Sequence, residues 1–317
     1  MVKYIIGRIG AMLLTLFLVM TLSFWVIRLM PMSIFENPEV SPEIQAKLEA
    51  EMHLDKPMVV QYGYFIQGIV TRGDFGTSVK VRPGLDVFEI VARRIPPTVV
   101  LNLFSLLLSI PLGIIAGTIA ALNQNKAADN LLSFLIVVFI SVPSFVFASL
   151  LQYCFTYAWP LFPTLYNSTT EHFGQQLYSM VLPIIALSLN PIATIARYLR
   201  GELIETLSSE YLLLARTKGL TRREATWRHA FRNSLVPIAN TIIPMITGIM
   251  GGSLVVEKMF AVPGMGGLLI DSIMAGDHFL TVALLILYSL ESLLTIMVID
   301  ISYGIIDPRI RVGGEKE

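Results

Sequence analysis

Residues whose types could support catalysis or metal binding are few in this sequence, and no common catalytic motif joins them. The single cysteine, Cys154, excludes an internal disulfide and a cysteine-rich metal cluster. The sequence lacks the phosphate loop GxxxxGKS or GxxxxGKT, and it also lacks GxSxG and HExxH. We therefore predict no catalytic residue, no metal site and no cofactor bound by this chain, which should not hydrolyse ATP itself. The four histidines form no pair with metal-site spacing: His53, His172, His229 and His278.

Two carboxylates, Glu291 and Asp300, lie within an otherwise apolar stretch near the C-terminus. Carboxylates inside a membrane are energetically costly and are often functional. A proton or ion relay through this pair would make the chain an ion-coupled secondary transporter, an alternative that stays open for Glu291. For Asp300 we favour a structural interaction with a neighbouring side chain over a relay, because Tyr303 and Arg309 follow closely in the sequence.

A basic, polar block, Arg197–Pro237, separates two uncharged apolar runs and holds eight Lys/Arg against four Glu. Its pattern predicts two helices joined by a tight corner. The first covers Ser209–Lys218, with Ser209 as a candidate N-cap and basic residues in the last turn, the charge order that a helix dipole favours. Gly219 suits a left-handed position after the helix, and Thr221 opens a capping box that Glu224 completes.

The first helix of this block is short and has apolar residues on more than one face. The run from Tyr211 to Ala215 contains three consecutive leucines. A helix of about ten residues is too short to be stable alone in water. We therefore expect something to cover both faces, either the chain's own membrane domain or a groove in a separate protein.

The composition is that of a multi-pass membrane protein: 317 residues, 54% hydrophobic and 15% charged, with mean hydropathy +0.68. The net charge of zero gives no indication of nucleic-acid binding. Six segments are long and apolar enough to cross a bilayer core of about 30 Å. We predict an all-α integral membrane protein with six transmembrane helices: Ile9–Ile27, Thr98–Leu122, Leu131–Ala158, Met180–Ala196, Leu235–Val256 and Phe279–Ile306.

Lysine and arginine in the short loops predict the orientation of these helices. An even number of spans places both termini on one side, together with Lys126 and the basic block, whereas the opposite short loops hold only Lys258. Both termini and the basic block are therefore predicted to be cytoplasmic.

The segment Pro31–Pro97 is predicted to form a folded helical cap outside the membrane. A first helix begins at Ser41-Pro42-Glu43, a second covers Met58 to Val70, and a short third covers Asp86–Arg94. The cap either shields the bundle or docks a soluble partner.

Prolines interrupt several spans, which indicates bends close to a translocation path. Polar residues at membrane depth either line such a path or bond to a neighbouring helix. These residues are Ser141, Ser144, Asn190 and Asn240.

These features occur in an order that resembles one family, the membrane subunits of binding-protein-dependent ABC importers of the dipeptide, oligopeptide and nickel class. The resemblance runs nearly end to end, and it rests on Leu54-Asp-Lys-Pro57, Gly73-Asp-Phe-Gly-Thr-Ser78, Ser141-Val-Pro-Ser144, Glu210-Tyr211 with Ala215-Arg-Thr-Lys-Gly219, His229-Ala-Phe-Arg-Asn233, Pro263-Gly-Met-Gly266 and Asp307-Pro-Arg-Ile310. The chain departs from the broader importer signature at Leu213, and from the family's usual start of the cap at Pro31-Met32-Ser33.

The resemblance implies a single transmembrane domain over 1–317 with the type I importer fold, an external cap at 31–97 and a cytoplasmic coupling loop at 197–234. It implies that the short helix couples to an ATPase, and that the outer loop docks a binding protein. The implied coupling residues are Glu210, Tyr211, Leu214, Ala215, Arg216, Lys218 and Gly219. The implied docking residues are Glu257, Phe260, Pro263, Gly264 and Asp277.

The resemblance further implies the partners and the setting. These are a second homologous permease, two ATP-binding subunits that hold ATP and Mg²⁺, an extracytoplasmic substrate-binding protein and the cytoplasmic membrane of a prokaryote. Oligopeptides or dipeptides are the favoured cargo, with nickel chelates or another small solute as alternatives. Two other classes remain open: the ion-coupled transporter above, and a membrane scaffold or receptor whose basic loop binds a partner.

Overall fold

The fold is described from a computed structural model, over residues 2–29, 50, 53–170 and 172–306. Apart from one isolated bridge between Thr77 and Asp86, these residues form helices, turns and connecting loops. They fall into two compact units, one of Met1–Pro96 with Pro263–Leu293 and the other of Pro97–Val262 with Leu294–Glu317. The prediction of an all-α chain is confirmed over the described residues.

The first unit contains helices α1 (Val2–Leu29) and α2 (Met58–Arg72) and the start of α3 (Val87–Leu122). Met20 and Ile27 of α1 pack with Val282 and Ile286, and Phe65 of α2 joins this cluster. The cap helix predicted at Met58–Val70 is confirmed, and it ends where Gly73 adopts a left-handed backbone with φ of 65°.

The third predicted cap helix, Asp86–Arg94, is part of a longer helix. Asp86 caps α3, because its carboxylate accepts the backbone N–H of Phe88 at 2.8 Å. The helix then continues through Pro96 and Pro97 into the apolar span. The prediction of a short cap helix separate from the span Thr98–Leu122 was therefore wrong. Prolines are tolerated in such helices when neighbouring groups satisfy the freed carbonyls. The helix expected from Ser41 lies outside the described residues.

The second unit is built around a 27-residue helix, Val181–Leu207. In chain order the remaining elements are α4 (Ala127–Ser141), α5 (Ser144–Gln152) with a π-helical turn at Tyr153–Ala158, α6 (Phe173–Ser179), α7 (Val181–Leu207), α8 (Glu210–Thr217), α9 (Arg222–Ala225) with a π-helical turn at Thr226–Ala230, α10 (Phe231–Thr247), α11 (Leu254–Met259), α12 (Met265–Ala275) and α13 (His278–Ile306). Helices α4, α5 and α10 all pack against α7. Of the helices from α4 onward, α12 and the first half of α13 belong to the first unit.

Four described helices are long and apolar enough to cross a membrane: Ile6–Leu29, Val87–Leu122, Val181–Leu207 and His278–Ser302. A fifth candidate is the pair Ala127–Ser141 and Ser144–Ala158, which is bent by 101° at Val142-Pro143. The four continuous helices match four of the six predicted spans, and the bent pair covers a fifth, Leu131–Ala158. The pattern of four to five apolar spans is that of a multi-pass membrane protein.

The remaining predicted span, Leu235–Val256, is not a continuous helix. Helix α10 ends at Thr247 after 17 residues, a turn with three glycines follows, and α11 begins at Leu254. Glycine costs about 1 kcal/mol more than alanine in a helix interior, and Gly252 adopts a positive φ of 62° that a helix does not accommodate. The apolar composition of this stretch concealed the break.

Candidate functional site

The basic block folds into the two helices and corner that its pattern predicts. Helix α8 begins after Ser209 and ends at Thr217, and Gly219 has a φ of 95°. The capping box of α9 is complete: the Glu224 N–H donates to the Thr221 hydroxyl at 3.2 Å, and the Thr221 N–H donates to the Glu224 carboxylate at 3.1 Å. Hydrogen bonds from the Thr221 hydroxyl and backbone to this carboxylate hold the pKa of Glu224 below its usual value.

One detail of this prediction was wrong. Ser209 occupies the N-cap position of α8, but its side chain accepts no capping hydrogen bond. The hydroxyl instead donates to the carbonyl of Thr206 at 2.6 Å. Ser209 therefore fastens α8 to the last turn of α7, and Glu210 is left as the acidic residue at the start of α8.

Only one face of helix α8 packs against the rest of the chain. Leu212 and Ala215 are 6% and 8% exposed, and Leu212 packs with Leu203 of α7. The same cluster contains three alanines from neighbouring elements, which let the short helix approach closely: Ala121, Ala225 and Ala230. The tertiary contact explains why so short a helix is stable here.

The other face of α8 is apolar and exposed. Leu213 and Leu214 are 61% and 56% exposed, so the two-sided burial expected from the sequence is only half satisfied within this chain. Glu210, Arg216 and Lys218 are also exposed around this face. Short apolar helices with a charged rim are suited to insertion into a groove of another protein.

Tyr211 connects the exposed face of α8 to the second helix of the corner. Its ring meets the imidazole of His229 edge to face, with ring centroids 6.1 Å apart. Partial burial raises the pKa of the Tyr211 hydroxyl. Of the seven predicted coupling residues, six are exposed, and Ala215 alone is turned towards its own chain.

A buried ion pair near this segment was not predicted. The Arg200 guanidinium of α7 binds the Asp129 carboxylate of α4 through two hydrogen bonds, Nε to Oδ1 at 2.6 Å and Nη2 to Oδ2 at 2.8 Å. Asp129 is buried although it lies at the start of an apolar run. A single carboxylate in the first turn of a membrane helix was the available signal, but nothing local connects it to an arginine 71 residues away.

The four predicted path residues lie on four helices of the second unit. Ser141 ends α4 and Ser144 begins α5, so they flank the bend at Val142-Pro143. Asn190 precedes Pro191 in α7 and is exposed, whereas Asn240 of α10 is half-buried. Their place along a path stays a prediction.

Two residues predicted to dock a binding protein are instead buried in the second unit. Glu257 accepts a hydrogen bond from the Thr98 hydroxyl at 2.9 Å, and neither Glu257 nor Phe260 is exposed. The Phe260 carbonyl accepts the N–H of Tyr166 at 2.7 Å. The described contacts of Glu257 and Phe260 lie within the second unit, and their role in docking stays a prediction.

Asp277 is likewise fully buried, within the first unit. One of its carboxylate oxygens accepts the Ser78 hydroxyl at 2.6 Å and the N–H groups of three successive residues, Val79, Lys80 and Val81, at 3.0–3.1 Å. Of the other predicted docking residues, Gly264 is buried and Pro263 is half-buried. Asp277 therefore anchors the segment after α2, and a part in docking stays a prediction.

The two carboxylates of the last helix differ in their surroundings. Glu291 is buried, whereas Asp300 is half-buried. The side chain of Tyr303 and the whole of Arg309, the expected neighbours of Asp300, lie outside the described residues. A relay through these carboxylates stays an untested alternative.

Comparison with known proteins identifies the family. Residues 109–312 match the model described as the binding-protein-dependent transport system inner membrane component, and residues 1–102 match the N-terminal model of the same component. The chain belongs to this family. It is accordingly a membrane component of a transport system, and not an enzyme.

Curated relatives align over almost the whole chain. The chain is 40% identical to the dipeptide transport system permease protein DppB of Lactococcus lactis, over 98% of its length and 100% of that protein. It is 34% identical to the protein of the same name from Bacillus subtilis, over 98% of this chain and 99% of that protein. It is 36% identical to the oligopeptide transport system permease protein OppB of Escherichia coli, over 98% and 100% of the two chains.

Proposed function

We propose that this protein is the permease subunit of an ATP-driven ABC importer and forms half of a translocation path for oligopeptides or dipeptides. The observation that supports the proposal is the exposed apolar face of α8, formed by Leu213 and Leu214. This helix precedes the capped turn of the basic segment at Thr221. The transport role follows from the family, and the peptide cargo is supported by the names of its full-length relatives.

In this proposal α8 binds in a groove of an ATPase subunit. Leu213 and Leu214 supply the apolar contact, and Glu210, Arg216 and Lys218 supply its charged rim. Burying two leucine side chains contributes about 3–6 kcal/mol before the costs of association. Leu212 lies on the opposite face of α8 and packs with Leu203 of α7, so that a movement of α8 is passed to α7 and to the membrane domain.

The proposed cycle is alternating access. ATP with Mg²⁺ binds at two partner ATPase subunits and closes them, and the motion of α8 then opens the path towards a loaded binding protein. ATP can drive this change only if it binds one conformation better than the other. The complete assembly contains a second homologous permease, two ATPases and an extracytoplasmic binding protein.

The proposed topology has six crossings of a bacterial inner or plasma membrane with both termini in the cytoplasm. Helix α10 would supply the sixth crossing, since its 17 residues extend about 25 Å at 1.5 Å per residue, close to the thickness of the hydrocarbon core. The lysines and arginines of the basic segment support a cytoplasmic position for α8. The cap at 31–97 and exposed residues of the loop at 257–277 are the proposed docking surfaces for the binding protein.

The test is purification of the assembled transporter from native membranes through a tag on this chain. Wild type should bring down the second permease and ATPase subunits. The double change Leu213→Asp, Leu214→Asp should retain the second permease and lose the ATPases, because two charges on the exposed face oppose its burial.

The matched control is Leu161→Asp, Leu165→Asp, which alters two equally exposed leucines in the connection between α5 and α6. This control should keep the ATPases. Full retention of ATPases by the Leu213/Leu214 variant would overturn the coupling role of α8. ATP-dependent uptake of labelled peptides by the wild-type assembly tests the cargo, and uptake driven by an ion gradient alone would instead favour the relay through Glu291.

A further inference from the structure

The ion pair between Asp129 and Arg200 joins two helices at the level where the basic segment begins. Arg200 lies seven residues before the end of α7, and α8 starts three residues after that end. Asp129 lies in the first turn of α4. The pair is therefore placed between α8 and the parts of α4 and α7 that extend into the apolar domain.

The contacts of Asp129 fix its carboxylate closely. Both carboxylate oxygens accept hydrogen bonds from the Arg200 guanidinium. The Asn125 N–H and the Ser133 hydroxyl also donate hydrogen bonds to this carboxylate, at 2.8 and 3.2 Å. Bidentate arginine–carboxylate pairs are more directional than single hydrogen bonds and therefore constrain both partners geometrically. The side chain of Asp129 is 2% exposed and that of Arg200 is 30% exposed, so solvent reaches the pair from the arginine side and screens it only in part.

The other contacts described between α4 and α7 are apolar. Ile136 of α4 packs on Ala193 and Ala196 of α7, which are both fully buried. Phe139 and Ile140 of α4 also pack against this cluster, and apolar contact of this kind is non-directional. The ion pair adds a directional contact that fixes one point of α4 to one point of α7.

Both helices lead from the pair to predicted path residues. Ser141 lies at the far end of α4, twelve residues from Asp129, directly before the bend at Val142-Pro143. Asn190 lies ten residues from Arg200 along α7. At 1.5 Å per residue, each is roughly 15–18 Å from the pair.

We propose that Asp129 and Arg200 are positioning residues that transmit the movement of α8 to α4 and to the bend before α5. A displacement of α8 moves α7, with which it shares the Leu203–Leu212 cluster, and the ion pair makes α4 follow without slipping. This inference rests on the proposed function, because it requires α8 to be driven by an ATPase. Loss of the pair is then expected to uncouple ATP hydrolysis from transport.

The experiment uses the whole transporter, reconstituted in liposomes with its binding protein, and measures ATP hydrolysis and peptide uptake on the same preparation. The first variant is Asp129→Asn, with Asn130→Ala as its matched control, since Asn130 is the next residue of α4 and its side chain is exposed. The second is the apolar double change Asp129→Leu, Arg200→Met. Replacing a buried ion pair by apolar residues of similar size is often neutral or stabilising, so this variant should fold and assemble.

We expect both variants to retain ATP hydrolysis stimulated by the binding protein within about twofold, while uptake per ATP hydrolysed falls about tenfold. The Asn130→Ala control should keep the wild-type ratio. A wild-type ratio in the apolar double variant, or an equal fall of hydrolysis and uptake in both variants, would overturn the proposal. Absence of ATP-dependent uptake from the wild-type assembly would instead count against the proposed function.

Discussion

At the scale of single residues, the buried carboxylates of this chain serve as anchors. Asp277, Glu257 and Asp129 each accept hydrogen bonds from parts of the chain that are distant in sequence. A buried carboxylate is costly unless it is hydrogen-bonded, so each of these residues constrains the groups that it binds. For Asp277 the constrained groups are three consecutive backbone N–H groups, which one carboxylate oxygen holds in a common orientation.

Replacement of Asp277 by alanine should therefore destabilise the protein strongly. The change leaves the Ser78 hydroxyl and three backbone N–H groups without their acceptor, and we expect a loss of roughly 3 kcal/mol. The measurement is the thermal unfolding midpoint of the purified protein in detergent. Asp55→Asn, in an exposed residue paired with Lys56, should change stability by less than about 0.5 kcal/mol. Equal midpoints for the two variants would show that the Asp277 contacts contribute little.

At the scale of elements, α3 and α7 approach closely because glycines line their contact. A Cβ added at Gly117 would lie 2.7 Å from the Ala196 carbonyl oxygen, and one added at Gly113 would lie 2.8 Å from the Ile195 Cβ. The GxxxG spacing of these two glycines indicates such packing in membrane helices. The contact holds α3 against the helix that leads to α8.

Gly117→Ala should force α3 and α7 apart, since the added methyl group meets backbone atoms that cannot rotate away. Overpacking of this kind costs about 1–3 kcal/mol. Gly201→Ala is the matched control, because a Cβ at this helical position in α7 would meet nothing within 4 Å. We expect Gly201→Ala to be neutral or stabilising by up to about 1 kcal/mol. A Gly117→Ala midpoint at or above that of Gly201→Ala would contradict the close approach.

At the scale of the whole molecule, the number of crossings depends on α10. The described residues contain four continuous candidate spans and one bent pair, and α10 is shorter than these. If α10 crosses the membrane, Met274 and Lys126 lie on opposite sides. If it does not, they lie on the same side.

The expected topology can be tested by cysteine labelling in a Cys154→Ser background, which removes the only native thiol. With six crossings, a membrane-impermeant maleimide added to intact cells should label Met274→Cys and the control Leu165→Cys, but not Lys126→Cys. All three positions are exposed in the structure. Protection of Met274→Cys until the cells are permeabilised would show five crossings and place α12 on the cytoplasmic side.

Features that depend on neighbouring residues were predictable from the sequence alone. Apolar runs as long as the bilayer core predicted the four continuous candidate spans, because burial in lipid depends on local composition. The corner of the basic block was predictable because a capping box and a left-handed glycine are local backbone requirements, met by Thr221, Glu224 and Gly219. The break after Thr247 was missed, because hydropathy does not report the backbone preference of glycine.

Contacts between distant parts of the chain were decided only by the tertiary structure. Sequence spacing could not show that Ala215 faces its own domain while Leu214 faces outward. It also could not show that Asp277 binds residues near position 80, or that Asp129 pairs with Arg200. A carboxylate finds its donors through packing of helices far apart in the chain, and no local propensity encodes such a pairing. The sequence alone therefore determined the class of protein and its short exposed helix, whereas the packing determined which residues anchor that helix and which remain available to a partner.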